Sequence, residues 1–191
     1  MIARLIAATL LVVFIGSAPA AAQEEGQVGL VMGYPAAVGL QWQASDRVAI
    51  RPEITLSGSS GDVTSATRVS SNNSSWTAGF AVSALFYVAR KDGLRTYVSP
   101  RFSYVRSNST SAGQGPPASE SENTGATYSA TGSFGAQYLL AKRFSVFGEV
   151  GFSYGRQTSS FASTTAYVIG SDGSAHTWGT RSTVGVIVYF H

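Results

Sequence analysis

From Val28 onward the chain alternates apolar and polar residues with a period of two, the signature of strands whose two faces meet different surroundings. Val38, Leu40 and Trp42 oppose Gly39, Gln41 and Gln43. Val48, Ile50, Pro52, Ile54 and Leu56 oppose Ala49, Arg51, Glu53, Thr55 and Ser57. Trp76–Val88 sets Trp76, Phe80, Val82, Phe86 and Val88 against Thr77, Gly79, Ala81 and Ser83. Leu94–Tyr104, Tyr128–Leu140, Phe144–Tyr154 and Trp178–Phe190 repeat the scheme, and Val28–Tyr34 supplies a shorter first strand. These segments predict eight strands.

The connections predict an antiparallel meander. Ser45-Asp46-Arg47, Arg90-Lys91-Asp92-Gly93 and Ala141-Lys142-Arg143 read as tight, charged turns at one end. At the other end Gly58–Ser75, Ser107–Gly125 and Gln157–Thr177 read as long loops rich in Ser, Thr, Asn and Gly, and only the connection at Tyr34-Pro35-Ala36 is short. Pro52-Glu53-Ile54, Pro100-Arg101-Phe102 and Gly148-Glu149-Val150 occupy matching places on successive upward strands, a faint repeat of one hairpin. A proline cannot donate to a ladder, so a bulge or bend is expected at Pro52 and Pro100.

Alternation does not say which face points outward. In a soluble barrel the apolar face lines a cavity, whereas in a membrane barrel it meets lipid and the polar face fills the interior. Charged residues make up only 12% of the chain, and the polar face carries mostly Ser, Thr, Gly and Gln where a soluble barrel would carry Lys and Glu. Aromatic residues stand towards the strand ends of the apolar face. Trp42, Trp76, Tyr104, Tyr128, Tyr154 and Trp178 are the expected interfacial girdle. Strands of about ten residues suit a tilted crossing, and in lipid only a closed barrel satisfies every backbone group. The expected fold is all-β: an eight-stranded antiparallel up-and-down transmembrane β-barrel over residues 23–191. A soluble periplasmic lipocalin-like binding protein is the alternative with the faces exchanged.

Residues 1–22 read as a secretory signal peptide, with Arg4, the apolar run Leu5–Ile15, and Ala20-Ala21-Ala22 as the cleavage site before Gln23. That run is too short to span a bilayer as a helix. The absence of cysteine excludes disulfides, thiolate zinc sites and a cysteine nucleophile. A net charge of +3 with lysine only at positions 91 and 142 leaves no basic cluster, so no nucleic-acid partner is expected.

With this signal peptide, eight strands and the terminal strand Thr183–Phe190, the sequence resembles the small eight-stranded outer-membrane β-barrel family of the OmpA/OmpX type. In that family the last strand follows a polar-x-Gly-x-x-aromatic-x-aromatic pattern read by the barrel assembly machinery. Thr183, Gly185 and Phe190 match it, Val188 stands where an aromatic is usual, and His191 follows the final aromatic. The resemblance implies residence in the cell outer membrane, assembly by that machinery, and contact with outer-membrane lipids and lipopolysaccharide. A C-terminal peptidoglycan-binding domain is not expected.

Arg51, Glu53, Arg95, Arg101, Glu149 and Arg181 fall on the polar face by parity. Isolated charges in a narrow interior are costly, so they are expected to pair. Glu53 and Glu149 are the acids among them, with Arg51, Arg101 and Arg181 as candidate partners. The interior of an eight-stranded barrel is only wide enough for side chains to fill, which points to a structural ion-pair plug. A narrow conduit for small solutes is the alternative.

No catalytic site, metal site or cofactor is expected. The histidines are His176 and His191, too far apart for a ligand set. Lipid A deacylases among small outer-membrane barrels resemble a His-x-Ser pattern with a later Glu, whereas His176 is followed by Thr177 and Trp178. The expected function is structural or interactive: envelope integrity, with surface loops for adhesion or defence. The segment 157–177, carrying Phe161, Tyr167, Val168 and Ile169, is the candidate contact for an extracellular partner.

Overall fold

Alternation with a period of two becomes, in the computed structural model, eight antiparallel strands that close on themselves. The structure describes residues 26–35, 37–64, 70–114, 119–164 and 170–190. The segment 1–22, read from sequence as a signal peptide, and His191 lie outside these residues. The strands are β1 (Val28–Tyr34), β2 (Ala37–Ser45), β3 (Val48–Thr64), β4 (Ser70–Lys91), β5 (Leu94–Gln114), β6 (Ser119–Ala141), β7 (Phe144–Ser163) and β8 (Ser171–Tyr189). Each pairs with the next, and β1 seals the ring against β8 from Gly29↔Tyr189 to Tyr34↔Val184. The β4–β5 turn has positive φ at both Asp92 (48°) and Gly93 (83°), the two-residue geometry that matches the natural twist of a hairpin.

Parity sorts the two faces. Leu56 and Trp178 on the outside are 72% and 76% exposed, whereas inward Ala49, Leu85 and Ile187 are fully buried. The inward face is less uniformly polar than its Ser and Thr content suggested. Near the short turns it packs two apolar clusters, Val31–Phe147–Ile187–Tyr189 and Ala49–Leu85–Tyr87–Tyr97.

The segments Gly58–Ser75, Ser107–Gly125 and Gln157–Thr177 are not loops but mostly paired strand. The β3–β4 ladder continues to Thr64↔Ser70, β5–β6 to Gly113↔Ser119 and β7–β8 to Phe161↔Ser171. Only their tips, 65–69, 115–118 and 165–169, lie outside the described residues, and these include Tyr167, Val168 and Ile169. A ladder continues wherever backbone groups pair and facing side chains suit one another; it needs no hydrophobic contrast. Here the pairs are polar: the facing Ser59 and Ser75 hydroxyls meet at 2.8 Å, and Asn108 donates to its diagonal neighbour Glu122 at 2.5 Å.

The prolines do not produce bulges. Register shifts fall near the short turns instead, between Gln43 and Ser45, Tyr87 and Ala89, and Leu139 and Ala141. Pro52 and Pro100 keep register, opposite Val82 and Gly132. On their other side the pairing lapses between Gly39↔Glu53 and Trp42↔Ile50, and between Ser83↔Arg101 and Phe86↔Val98. A missing N–H explains a local lapse without an inserted residue.

Glycines on the inner face leave room for large inward side chains. A Cβ at Gly135 would lie 2.6 Å from the Tyr97 ring and 2.8 Å from Glu149 Cγ, whereas one at outward Gly132 would meet nothing within 4 Å. Gly135→Ala is therefore expected to lower unfolding stability in urea by about 1–3 kcal/mol through overpacking. Gly132→Ala should leave the transition unchanged, and equal effects would contradict this packing.

Candidate functional site: the barrel interior and its rim

Each inward charge is placed by its strand, and its height is set by the register. Arg51 on β3 and Glu149 on β7 meet across the barrel, Nη1 donating to Oε1 at 2.5 Å, with the Arg51 side chain only 1% exposed. The guanidinium is held from two further sides. Nε and Nη2 donate to Gln41 Oε1 at 3.1 and 2.9 Å, and the Phe147 ring centroid lies 4.3 Å from Cζ. Tyr97 donates its hydroxyl to the same Glu149 oxygen at 2.8 Å. Arg101 on β5 pairs with Glu53 on β3, two middle residues of the hairpin repeat separated by 48 positions. Arg181 on β8 joins neither carboxylate: its Nε donates to Thr183 Oγ1 at 3.4 Å. Arg95 lies over the Tyr87 ring, 5.4 Å from the centroid.

Below the ion pairs a neutral network crosses the lumen. Gln41 Nε2 donates to the Tyr189 hydroxyl at 3.2 Å, Tyr87 donates to Gln137 Oε1 at 3.2 Å, and Gln137 Nε2 donates to the Tyr189 hydroxyl at 2.8 Å. Gln41, Tyr87, Tyr97, Gln137 and Tyr189 were not singled out from sequence, although each shares the parity of the inward charges. The interior is thus layered. Apolar clusters and the glutamine–tyrosine network fill the short-turn end, two ion pairs lie above them, and hydroxyl pairs such as Ser103–Ser129 (2.6 Å) and Thr131–Ser153 (3.0 Å) follow.

The outer wall carries the residues expected to form the girdle. Trp42 is exposed on β2 near the short turns. Trp76, Tyr104, Tyr128, Tyr154 and Trp178 stand on β4 to β8, just below the polar strand extensions. Tyr104 contacts Phe80 and Tyr128 with ring centroids at 5.8 and 4.8 Å, and Trp178 stacks on Phe152 at 6.1 Å. In the terminal strand, Thr183 and Gly185 face inward and Val188 and Phe190 outward. The missing Cβ of Gly185 leaves space for Phe147, whose ring would otherwise lie 2.6 Å away. His176 is on the outside, hydrogen-bonded through Nδ1 to the Tyr154 hydroxyl at 2.9 Å, with Asp172 and Ser174 exposed farther along β8. Among the described residues no three His, Asp or Glu side chains form a group that could hold a metal ion.

Removing one partner of a buried ion pair leaves the other charge uncompensated, at a cost of roughly 3–5 kcal/mol, whereas replacing both with apolar groups costs far less. Glu149→Gln is expected to destabilise the barrel by that order in urea titrations. Adding Arg51→Met should restore most of the loss. A double variant no better than the single would show that Arg51 is not held by Glu149.

No family model and no curated protein matches this sequence. Solved structures do match it. CarO of Acinetobacter baumannii is 14% identical, with 89% of this chain and 100% of that one covered at a TM-score of 0.47. The ferric yersiniabactin uptake receptor FyuA of Yersinia pestis is 12% identical, with 78% of this chain and 24% of that one covered at a TM-score of 0.50. A major outer membrane protein of Thermus thermophilus is 12% identical, with 86% and 98% covered at a TM-score of 0.49. At such identities a likeness reports shared fold. The fold itself is read from the strand order: a closed antiparallel up-and-down β-barrel of eight strands.

Proposed function

We propose that the chain is a non-enzymatic integral protein of the outer membrane, exported through residues 1–22, with a structural and interaction role. The supporting observation is the filled interior: Arg51–Glu149, Arg101–Glu53 and the Gln41–Gln137–Tyr189 network occupy the lumen from wall to wall. An eight-stranded wall leaves space for side chains and little else. A rigid barrel of this kind is an anchor. What it presents is the polar upper part of β3 to β8, paired strand rather than free loop, with the hairpin of 157–177 as the contact for an extracellular partner. Its outward face, rimmed by aromatics, suits outer-membrane lipids and lipopolysaccharide. His176 bonds to a tyrosine on the outer wall, which offers no base–nucleophile pair for catalysis.

The filled lumen weighs against a conduit for small solutes. In planar bilayers the purified barrel is expected to carry no steady ion current. An anion-favouring current that changes with Arg101→Ala would overturn the plug and favour the conduit.

A further inference from the structure

The wall of the barrel is uneven. β1 and β2 have 7 and 9 residues, while β3 to β8 have 17 to 23. The ladder register shows how far the short hairpin falls below its neighbours. Passing from partner to partner, Thr177 leads through Gly155, Ser129, Ser103, Ala81, Glu53, Gly39 and Val31 to Ile187. One circuit therefore returns to β8 ten residues farther along. Spread over eight strands, that stagger shifts a horizontal level by a little over one residue per strand.

A level drawn from Trp178 on this basis passes near Tyr154, Tyr128, Tyr104 and Trp76, the aromatic row, and reaches β3 near Gly58. On the β1–β2 side the same level lies about five residues above Tyr34. The hairpin therefore ends below the aromatic row, inside the apolar belt. Thr55–Ser57 on β3 and Gly179–Thr183 on β8 flank this gap, and among the described residues their facing edges have no ladder partner. Unpaired backbone cannot face hydrocarbon without cost, so the gap needs a polar occupant at its edges.

Its surroundings are amphipathic. Below and beside it, on the outer wall, Met32, Tyr34, Val38, Ile54, Leu56 and Val184 line an apolar groove of about 560 Å³. Inside it, on the edge strand itself, stands Arg181, which makes no ion pair among the described residues and bonds to Thr183 within its own strand. We propose that this gap is a lateral binding site for a single-chain anionic amphiphile: the chain lies on the Met32–Val184 groove and the headgroup reaches through the wall to Arg181 and the free edge amides. The site lies above the ion-pair plug, so it requires no passage through the barrel. It rests on the membrane placement proposed above.

The test uses the full-length barrel refolded in neutral detergent, with palmitate, hexadecanol and acetate as probes in isothermal titration. Palmitate is expected to bind, hexadecanol at least tenfold more weakly, and acetate not at all. Arg181→Gln should weaken palmitate about tenfold without changing hexadecanol, and Val184→Trp, which fills the groove, should weaken both. Equal binding of palmitate and hexadecanol, no effect of Arg181→Gln, or binding of acetate alone would overturn the site. The same samples, run boiled and unboiled on a detergent gel, separate the two readings. Heat-dependent mobility without palmitate binding sinks only the lateral site, whereas absence of the shift sinks the membrane barrel itself.

Discussion

A sheet edge leaves a row of unpaired N–H and C=O groups, and this molecule meets that constraint by closing eight strands into a ring. The seam between β1 and β8, from Gly29↔Tyr189 to Tyr34↔Val184, turns a meander with two edges into a wall with none at that height. Closing eight strands with a stagger of ten residues fixes both the diameter and the tilt, and with them how much volume the inward side chains must fill. Where the demand lapses, the reason is visible. Beside Pro52 and Pro100 the ladder loses pairs because the donor itself is missing. Above the β1–β2 hairpin it lapses because the wall stops.

The interior answers to a second constraint. Charges taken out of water must be paired and hydrogen-bonded or they destabilise the fold. Arg51 satisfies this through Glu149 and Gln41, and Glu149 through Arg51 and Tyr97. These contacts join β2, β3, β5 and β7 across the lumen, so the pairs act as struts between opposite walls. Gly135 and Gly185 belong to the same device, since each leaves the space that a strut or its neighbouring ring occupies. One set of side chains thus ties opposite walls together, and the amphipathic gap beside Arg181 lies outside that set.

Much of this was legible in the residues. Period-two alternation marks Val48, Leu94 and Phe144 as strand starts, and the structure begins β3, β5 and β7 there. It does not mark where β3, β5 and β7 end, because above the aromatic row Ser, Thr and Asn stand on both faces and no apolar alternation remains. Tyr87, Tyr97, Phe147 and Tyr189 escaped notice for the opposite reason. They are apolar residues on the polar parity, needed where the barrel packs its floor. Parity put Arg51, Arg101, Glu53 and Glu149 on one face, but which arginine meets which glutamate depends on height. Height depends on the register of the intervening ladders, four between Arg51 and Glu149 and two between Glu53 and Arg101, which no local pattern carries.

Which face of the strands meets lipid decides the rest, and β5 gives the most direct measurement. The chain has no cysteine, so single substitutions Val98→Cys, Ser99→Cys, Phe102→Cys and Ser103→Cys can each carry one nitroxide label. In reconstituted bilayers, the labels at 98 and 102 should be accessible to oxygen and shielded from a water-soluble nickel reagent. Those at 99 and 103 should be shielded from lipid-dissolved oxygen. Nickel accessibility at 99 and 103 with 98 and 102 shielded, the protein remaining in the aqueous phase, would invert the faces and contradict this placement.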